Sequence, residues 1–246
     1  MEIYNKMNYT TFQDFLSCLY VPAKEMNYQP SRDEIFEGLM MIYSGETPDI
    51  SVPSKEIATR TPQGVKVLGA GVIKVVHRCR DSKKTEDLDL SFCSLMQVPD
   101  AVFNLTKAIH IHSCNLSGNL LTKLCPKFGS CLRNITTLNL SNNRLSSLPS
   151  ELIHCCQLKS VDVSGNTLVV LPPIILLIES VQDIKADRNF IADVDELEIE
   201  LHPNLNFLDL RENPLTLSSH IRLSQIQEPK VVFTPRQQED WEDLTI

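Results

Sequence analysis

Between Asp87 and Leu215 apolar and polar residues alternate in short bursts, each followed by a turn residue and a further apolar position. The clearest burst is Ile135–Pro149, ITTLNLSNNRLSSLP. Leu138 and Leu140 stand two apart, as on one face of a strand, Asn143 and Leu145 follow at fixed offsets, and Leu148–Pro149 turn the chain away. The pattern L-x-x-L-x-L-x-x-N-x-L recurs in series, which marks a chain of stacked like units. Paired apolar positions predict six strands, at Leu88/Leu90, Ile109/Ile111, Leu138/Leu140, Val161/Val163, Ile184/Ala186 and Leu208/Leu210. Successive anchors lie 21, 29, 23, 23 and 24 residues apart, so a longer unit is expected between the second and third, its extra residues in a helical stretch on the convex side. The turn position falls on Cys93, Cys114, Asn143, Asn166, Asn189 and Asn213. A buried Asn there hydrogen-bonds backbone groups that a tight turn leaves unpaired; Cys is a weak substitute, so the first two units should be the less regular ones.

The flanks lack this period. Residues 1–45 read as two short amphipathic helices. The first carries Phe12, Phe15, Leu16 and Leu19 at helical spacing; the second opens with the Ser31/Glu34 pair and carries Ile35, Phe36, Leu39, Met40 and Tyr43. Residues 46–68, with Pro48, Pro53 and Pro62 and no period, read as a linker. Gly71–Lys84 places Val72, Val75, Val76 and Cys79 on one side of a helix just before the first unit, where a stacked array needs a cap. The repeat domain with its caps is thus expected at 69–235. Leu217–Ile226 and the KVVF segment should cover its last strand, and 236–246 form an acidic tail.

Composition narrows the function classes. A net charge of −8 argues against nucleic-acid or anionic-membrane binding, both of which need clustered Lys and Arg. The longest apolar stretch, Leu168–Ile178, is broken by Pro172–Pro173 and is shorter than the ~18 residues a membrane span requires. The N-terminus shows neither a basic nor an apolar leader region, and the eight cysteines lie mostly inside the units rather than in flanking clusters. Free thiols and a cytoplasmic location are the expectation, with the N-x-Ser/Thr sequons, Asn104 and Asn134 among them, unused.

Stacked parallel strands turn each strand offset into a column. One concave column is Asp89, His110, Asn139, Asp162, Lys185 and Asp209; the next runs Ser91, His112, Ser141, Ser164, Asp187 and Arg211; a third ends at Phe207. This mixed polar surface, with Phe207 and Arg211 as anchors, suits a polypeptide ligand. His110-x-His112-x-Cys114 has metal-ligand residue types, but an inward Cys114 cannot converge with two outward histidines. Asp89 beside His110 lacks a nucleophile, and an open sheet face does not exclude water. Gly69–Ala70–Gly71 lacks the remainder of a phosphate loop. No cofactor, metal or catalytic residue is expected.

From Leu88 to Pro235 the chain resembles the leucine-rich-repeat proteins. The resemblance rests on DLDL at Asp87–Leu90, LCPKFGSCLRNITTLNLSNNRLSSLPSEL, LDLRENPL at Leu208–Leu215, the Val-rich helix before the first unit and the KVVF segment after the last. It implies an α/β solenoid of six repeats, parallel strands on the concave face, with an N-terminal capping helix and a C-terminal cap. It also implies a monomeric interaction module, an adaptor or scaffold for a protein partner, without enzymatic activity. Two other readings stay open: a regulatory subunit of an enzyme such as a phosphatase, and a fragment of an extracellular receptor.

Overall fold

A computed structural model of the chain describes Cys18 and residues 63–235, with side chains of the continuous segment from Lys74 onward. The remainder of the predicted helices within 1–45, most of the linker and the tail lie outside the described residues.

Seven three-residue strands form one parallel sheet in chain order: β1 (Asp87–Asp89), β2 (Ser113–Asn115), β3 (Thr137–Asn139), β4 (Ser160–Asp162), β5 (Asp183–Lys185), β6 (Phe207–Asp209) and β7 (Lys230–Val232). The central residue of each strand points inward. Leu88, Cys114, Leu138, Val161, Ile184 and Leu208 stand in register and are buried, as are Leu90, Leu116, Leu140, Val163, Ala186 and Leu210 two residues on. Full burial of one such leucine contributes roughly 2 kcal/mol, and no single repeat can supply it alone.

The second strand is a correction to the sequence reading. Ile109 and Ile111 do not anchor it; they pack on the core just before it, and the inward pair is Cys114 and Leu116. Cys114 is therefore a strand residue, and the turn residue of that unit is Asn119. With this frame the inward anchors Leu88, Cys114, Leu138, Val161, Ile184, Leu208 and Val231 lie 26, 24, 23, 23, 24 and 23 residues apart, and the long unit disappears. A second correction is the seventh strand: KVVF does not merely cover β6 but pairs with it as β7.

The chain returns along the convex side through short helices: α2 (Asp100–Thr106), α3 (Lys127–Cys131), a 3-10 turn (Ser150–His154), α4 (Pro173–Leu176), α5 (Glu196–Glu200) and α6 (Leu217–Gln225). Pro99, Pro126, Pro149 and Pro172 stand at the N-cap of the first four, and Pro173 opens α4 with the fixed φ that suits a first helical residue. The last two are capped by side chains: Asp195 accepts from the N–H groups of Leu197 and Glu198, and Thr216 from that of Ser219.

The N-terminal cap is α1 (Gln63–Thr85), which begins inside the predicted linker. Val75, Val76 and Cys79 join the core as expected. Its cations do something the sequence pattern did not reveal. Arg78 Nη1 donates to the Asp89 carbonyl at 2.8 Å, and Lys74 Nζ to the Phe92 carbonyl at 2.7 Å, so side chains replace a neighbouring strand at the open edge. At the other end, Arg222 of α6 binds Asp193 at 2.7 Å and Glu196 at 3.0 Å, while the Ser219 hydroxyl donates to Asp193. These bonds fasten the final helix to the preceding repeat.

Candidate functional site

The outward residue of each strand end forms one cross-strand row: Asp89, Asn115, Asn139, Asp162, Lys185, Asp209 and Val232. The sheet thus brings together Asp89, Asn139, Asp162, Lys185 and Asp209 as the sequence predicts, and places Asn115 where His110 was expected. His110 and His112 both lie ahead of β2 and outside the row; His112 Nδ1 instead sits 3.0 Å from Glu86. Phe207 begins β6 and is half-buried, while Asp187 and Arg211 follow β5 and β6.

Most of this row has a structural task. The side-chain oxygens of Asp89, Asn115, Asn139, Asp162 and Asp209 each accept the backbone N–H two residues on, at 2.9 to 3.1 Å. Such a bond turns the chain out of the strand. The residue three positions beyond each strand end then takes positive φ: Phe92, Gly118, Asn142, Gly165, Arg188 and Glu212. Glycine eases the turn at Gly118, where a Cβ would lie 2.3 Å from the exposed Phe92 ring and push it aside. Asp209 is nearly fully buried and held by two oxygens on the Arg211 guanidinium; the prediction that it is a freely accessible contact residue is corrected accordingly.

Behind the row runs a ladder of buried asparagines. Asn143 Nδ2 donates to the Leu116 and Leu140 carbonyls, both at 3.0 Å, and its Oδ1 accepts from Leu121 N–H at 3.0 Å. Asn119, Asn166, Asn189 and Asn213 repeat the arrangement, each reaching one strand back. Cys93 stands where no earlier strand exists to offer a carbonyl, and its N–H is served by Asn119.

What remains for a ligand is a short list. The Nδ2 groups of Asn115 and Asn139 and the Nζ of Lys185 have no hydrogen-bond partner among the described residues, and all three lie on the same row. Lys185 alone in the row, apart from Val232, lacks an oxygen to cap the turn, and it is exposed. Charges at both ends are paired internally: Arg78 with Asp89 at 2.9 Å, Arg188 with Asp187 at 2.9 Å, and Arg211 with Asp209 at 2.6 Å. Burial pushes the Asp209 carboxyl up, but bonds from the Arg211 side chain and backbone outweigh it and hold the group below the usual carboxylate range. The thiols behind the sheet move the other way. Burial pushes Cys79 and Cys155 up to about 12 and raises Cys114 as well, so they are poor nucleophiles and ligands. Among the described residues no group of His, Cys, Asp and Glu is placed to hold a metal ion, and no helix is long and apolar enough to cross a membrane.

The face is therefore a shallow band of amide, hydroxyl and ammonium donors on a rigid sheet. It can hydrogen-bond carbonyl and carboxylate oxygens of a polypeptide laid across the strands. Sequence reasoning missed Asn115, although the triplet Asp/Asn–Leu/Val–Ser at 89–91, 115–117, 139–141 and 162–164 carried the signal.

A parallel sheet with one Asn-closed turn per 23 to 26 residues defines a leucine-rich-repeat fold, and the chain carries the leucine-rich repeat. Residues 109–168 match the family described as Leucine rich repeat. Among curated relatives it is similar to leucine-rich repeat serine/threonine-protein kinase 1 of Mus musculus, 36% identical over 43% of this chain and 6% of the kinase. It is also similar to podocan of Mus musculus, 31% identical over 69% of this chain and 28% of podocan. The similarity to human leucine-rich repeat-containing protein 20 is 28% identity over 40% of this chain and 54% of that protein. Each match thus spans only part of the relative's own length.

Proposed function

We propose that this chain is a cytoplasmic adaptor or scaffold that binds a polypeptide partner on its concave face, as a monomer and without catalysis of its own. The observation that carries this reading is the row of unspent donors, Asn115, Asn139 and Lys185, on a sheet whose turn-capping oxygens and end charges are already engaged. A rigid face of this kind loses little conformational freedom on binding. Its donors select ligands that present acceptors, which an extended peptide backbone and Asp or Glu side chains do.

The test separates binding from folding. Asn115→Asp and Asn139→Asp keep the oxygen that caps the turn but replace the outward donor with an acceptor. Partners are identified by proximity labelling in cells, and affinity is then measured with the purified full chain. Two lost hydrogen bonds should weaken binding by about tenfold or more, with thermal stability preserved. A captured partner that binds the double variant, and Lys185→Glu, with unchanged affinity refutes the concave-face reading.

A further inference from the structure

The position nine residues beyond each inward strand anchor lies on the flank that leads from the sheet to the convex side. In the first three repeats it is polar: Gln97, Lys123 and Ser147. In the fourth and sixth it is Val170 and Leu217, with Asp193 between them in the fifth. All six are exposed, so the fold does not ask for an apolar residue there.

Apolar neighbours widen this row into a band. Val169, Val170, Phe190, Leu197, Leu217 and Ile221 are each more than half exposed. The backbone holds them together. Phe190 N–H donates to the Leu168 carbonyl at 2.8 Å, Val170 pairs with Asp193 in a parallel bridge, and Thr216 N–H donates to the Ala192 carbonyl at 2.9 Å. Arg222 binds both Asp193 and Glu196, which sets α6, with Leu217 and Ile221 four residues apart, beside α5 and its Leu197. An exposed apolar band with polar groups at its rim marks a contact surface.

Charge selects the occupant. Asp193–Glu200 holds five carboxylates and no Lys or Arg. Arg222 is engaged by two of them, while the exposed Asp195, Glu198 and Glu200 have no cation partner among the described residues. A second copy of this chain, itself carrying −8, would set acid against acid. A helix suits the geometry: it advances about 5.4 Å per turn, close to the ~4.8 Å between neighbouring strands, so each turn can seat one side chain on each repeat.

We propose that this flank of the fourth to sixth repeats is a second docking site, for an amphipathic helix of a partner protein whose apolar stripe is bordered by Lys or Arg. It lies off the concave face, so both sites can be filled at once and the chain can bridge two partners.

The experiment titrates the full chain into a fluorescein-labelled synthetic helix of about 18 residues, with leucines at i, i+3, i+4 and i+7 and lysines bordering them. A second peptide carries glutamate in place of each lysine. The lysine peptide should bind at least about tenfold more tightly than the glutamate peptide. Val170→Lys combined with Ile221→Lys should weaken it by about tenfold or more, and so should Phe190→Lys alone, with thermal melts unchanged. Ile153→Lys, at an exposed apolar residue of the 3-10 turn outside the band, should leave it unaltered. Absence of binding, equal binding of the two peptides, or unchanged affinity in both sets of lysine variants overturns the proposal. A wild-type dimer in sedimentation that Val170→Lys with Ile221→Lys abolishes overturns the helix assignment and gives the band to a second copy.

Discussion

Replacing Asn143 by Ala removes a side chain whose every polar atom is engaged inside the array. Its Nδ2 holds the Leu116 and Leu140 carbonyls at 3.0 Å, and its Oδ1 holds the Leu121 N–H at 3.0 Å. The Leu121 N–H would be orphaned, while the Leu116 and Leu140 carbonyls would each lose one of two donors and keep Asn119 and Asn166. The orphan costs about 1–3 kcal/mol and each lost bond about 1 kcal/mol, and a small cavity beside polar groups admits water and recovers part of that. A loss of about 3 kcal/mol is the expectation, a large share of the 5–15 kcal/mol typical of a domain. For a domain of this size it corresponds to a drop in Tm of roughly 6–12 °C. Urea denaturation followed by far-ultraviolet circular dichroism gives the free energy directly, and Asn143→Asp, which keeps only the acceptor, should fall between wild type and Ala. A cost for Asn143→Ala below about 0.5 kcal/mol, the range of ordinary surface changes, would refute the ladder as a source of stability.

Two further outcomes follow from the same geometry. Because Asp209 titrates below the usual carboxylate range, the folded state binds fewer protons there than the unfolded chain. Its contribution is complete above the unfolded carboxylate pKa of ~3.9 and is lost as pH falls through that value and the lower folded one. Melting curves across this acid range should therefore be shallower for Asp209→Asn, and identical slopes would sink the assignment. At the first edge, Arg78→Ala frees the Asp89 carbonyl and its carboxylate, costing about 1 kcal/mol after solvent screening and speeding amide exchange in β1 relative to β4; equal exchange would show that α1 seals the edge without its cations.

The sequence makes five strands legible because their inward residues are branched or leucine, Ala186 excepted, and their turns end in Asn or Cys at a constant offset. The second strand was misread for a physical reason. Ile109-His110-Ile111-His112 alternates as a strand does, while the real one presents Cys114 where a leucine is expected. Ile111 is buried, but as a lead-in residue rather than a strand anchor. The seventh strand lacks both the leucine pair and the Asn, and Leu215, the residue that such an Asn would serve, turns back onto the Asn213 carbonyl instead. Outward orientation was readable, but the task of each side chain was not. Asp89, Asn139, Asp162 and Asp209 look like free surface groups in a column, and only the coordinates show their oxygens committed to the N–H two residues on. Nothing in the pattern could predict that Arg211 would cover Asp209.

The asparagine ladder also has a direction. The Leu121 N–H is served by Asn143, that of Leu145 by Asn166, that of Leu168 by Asn189 and that of Ile191 by Asn213, always from the following repeat. A chain leaving the ribosome is therefore never finished at its growing end: the newest turn waits for residues still to be translated. At 5–20 residues per second, one repeat of about 23 residues takes roughly one to five seconds to arrive. Ordered structure should trail synthesis by that interval, repeat after repeat, until Leu215 turns back onto the Asn213 carbonyl and the relay ends without needing a successor.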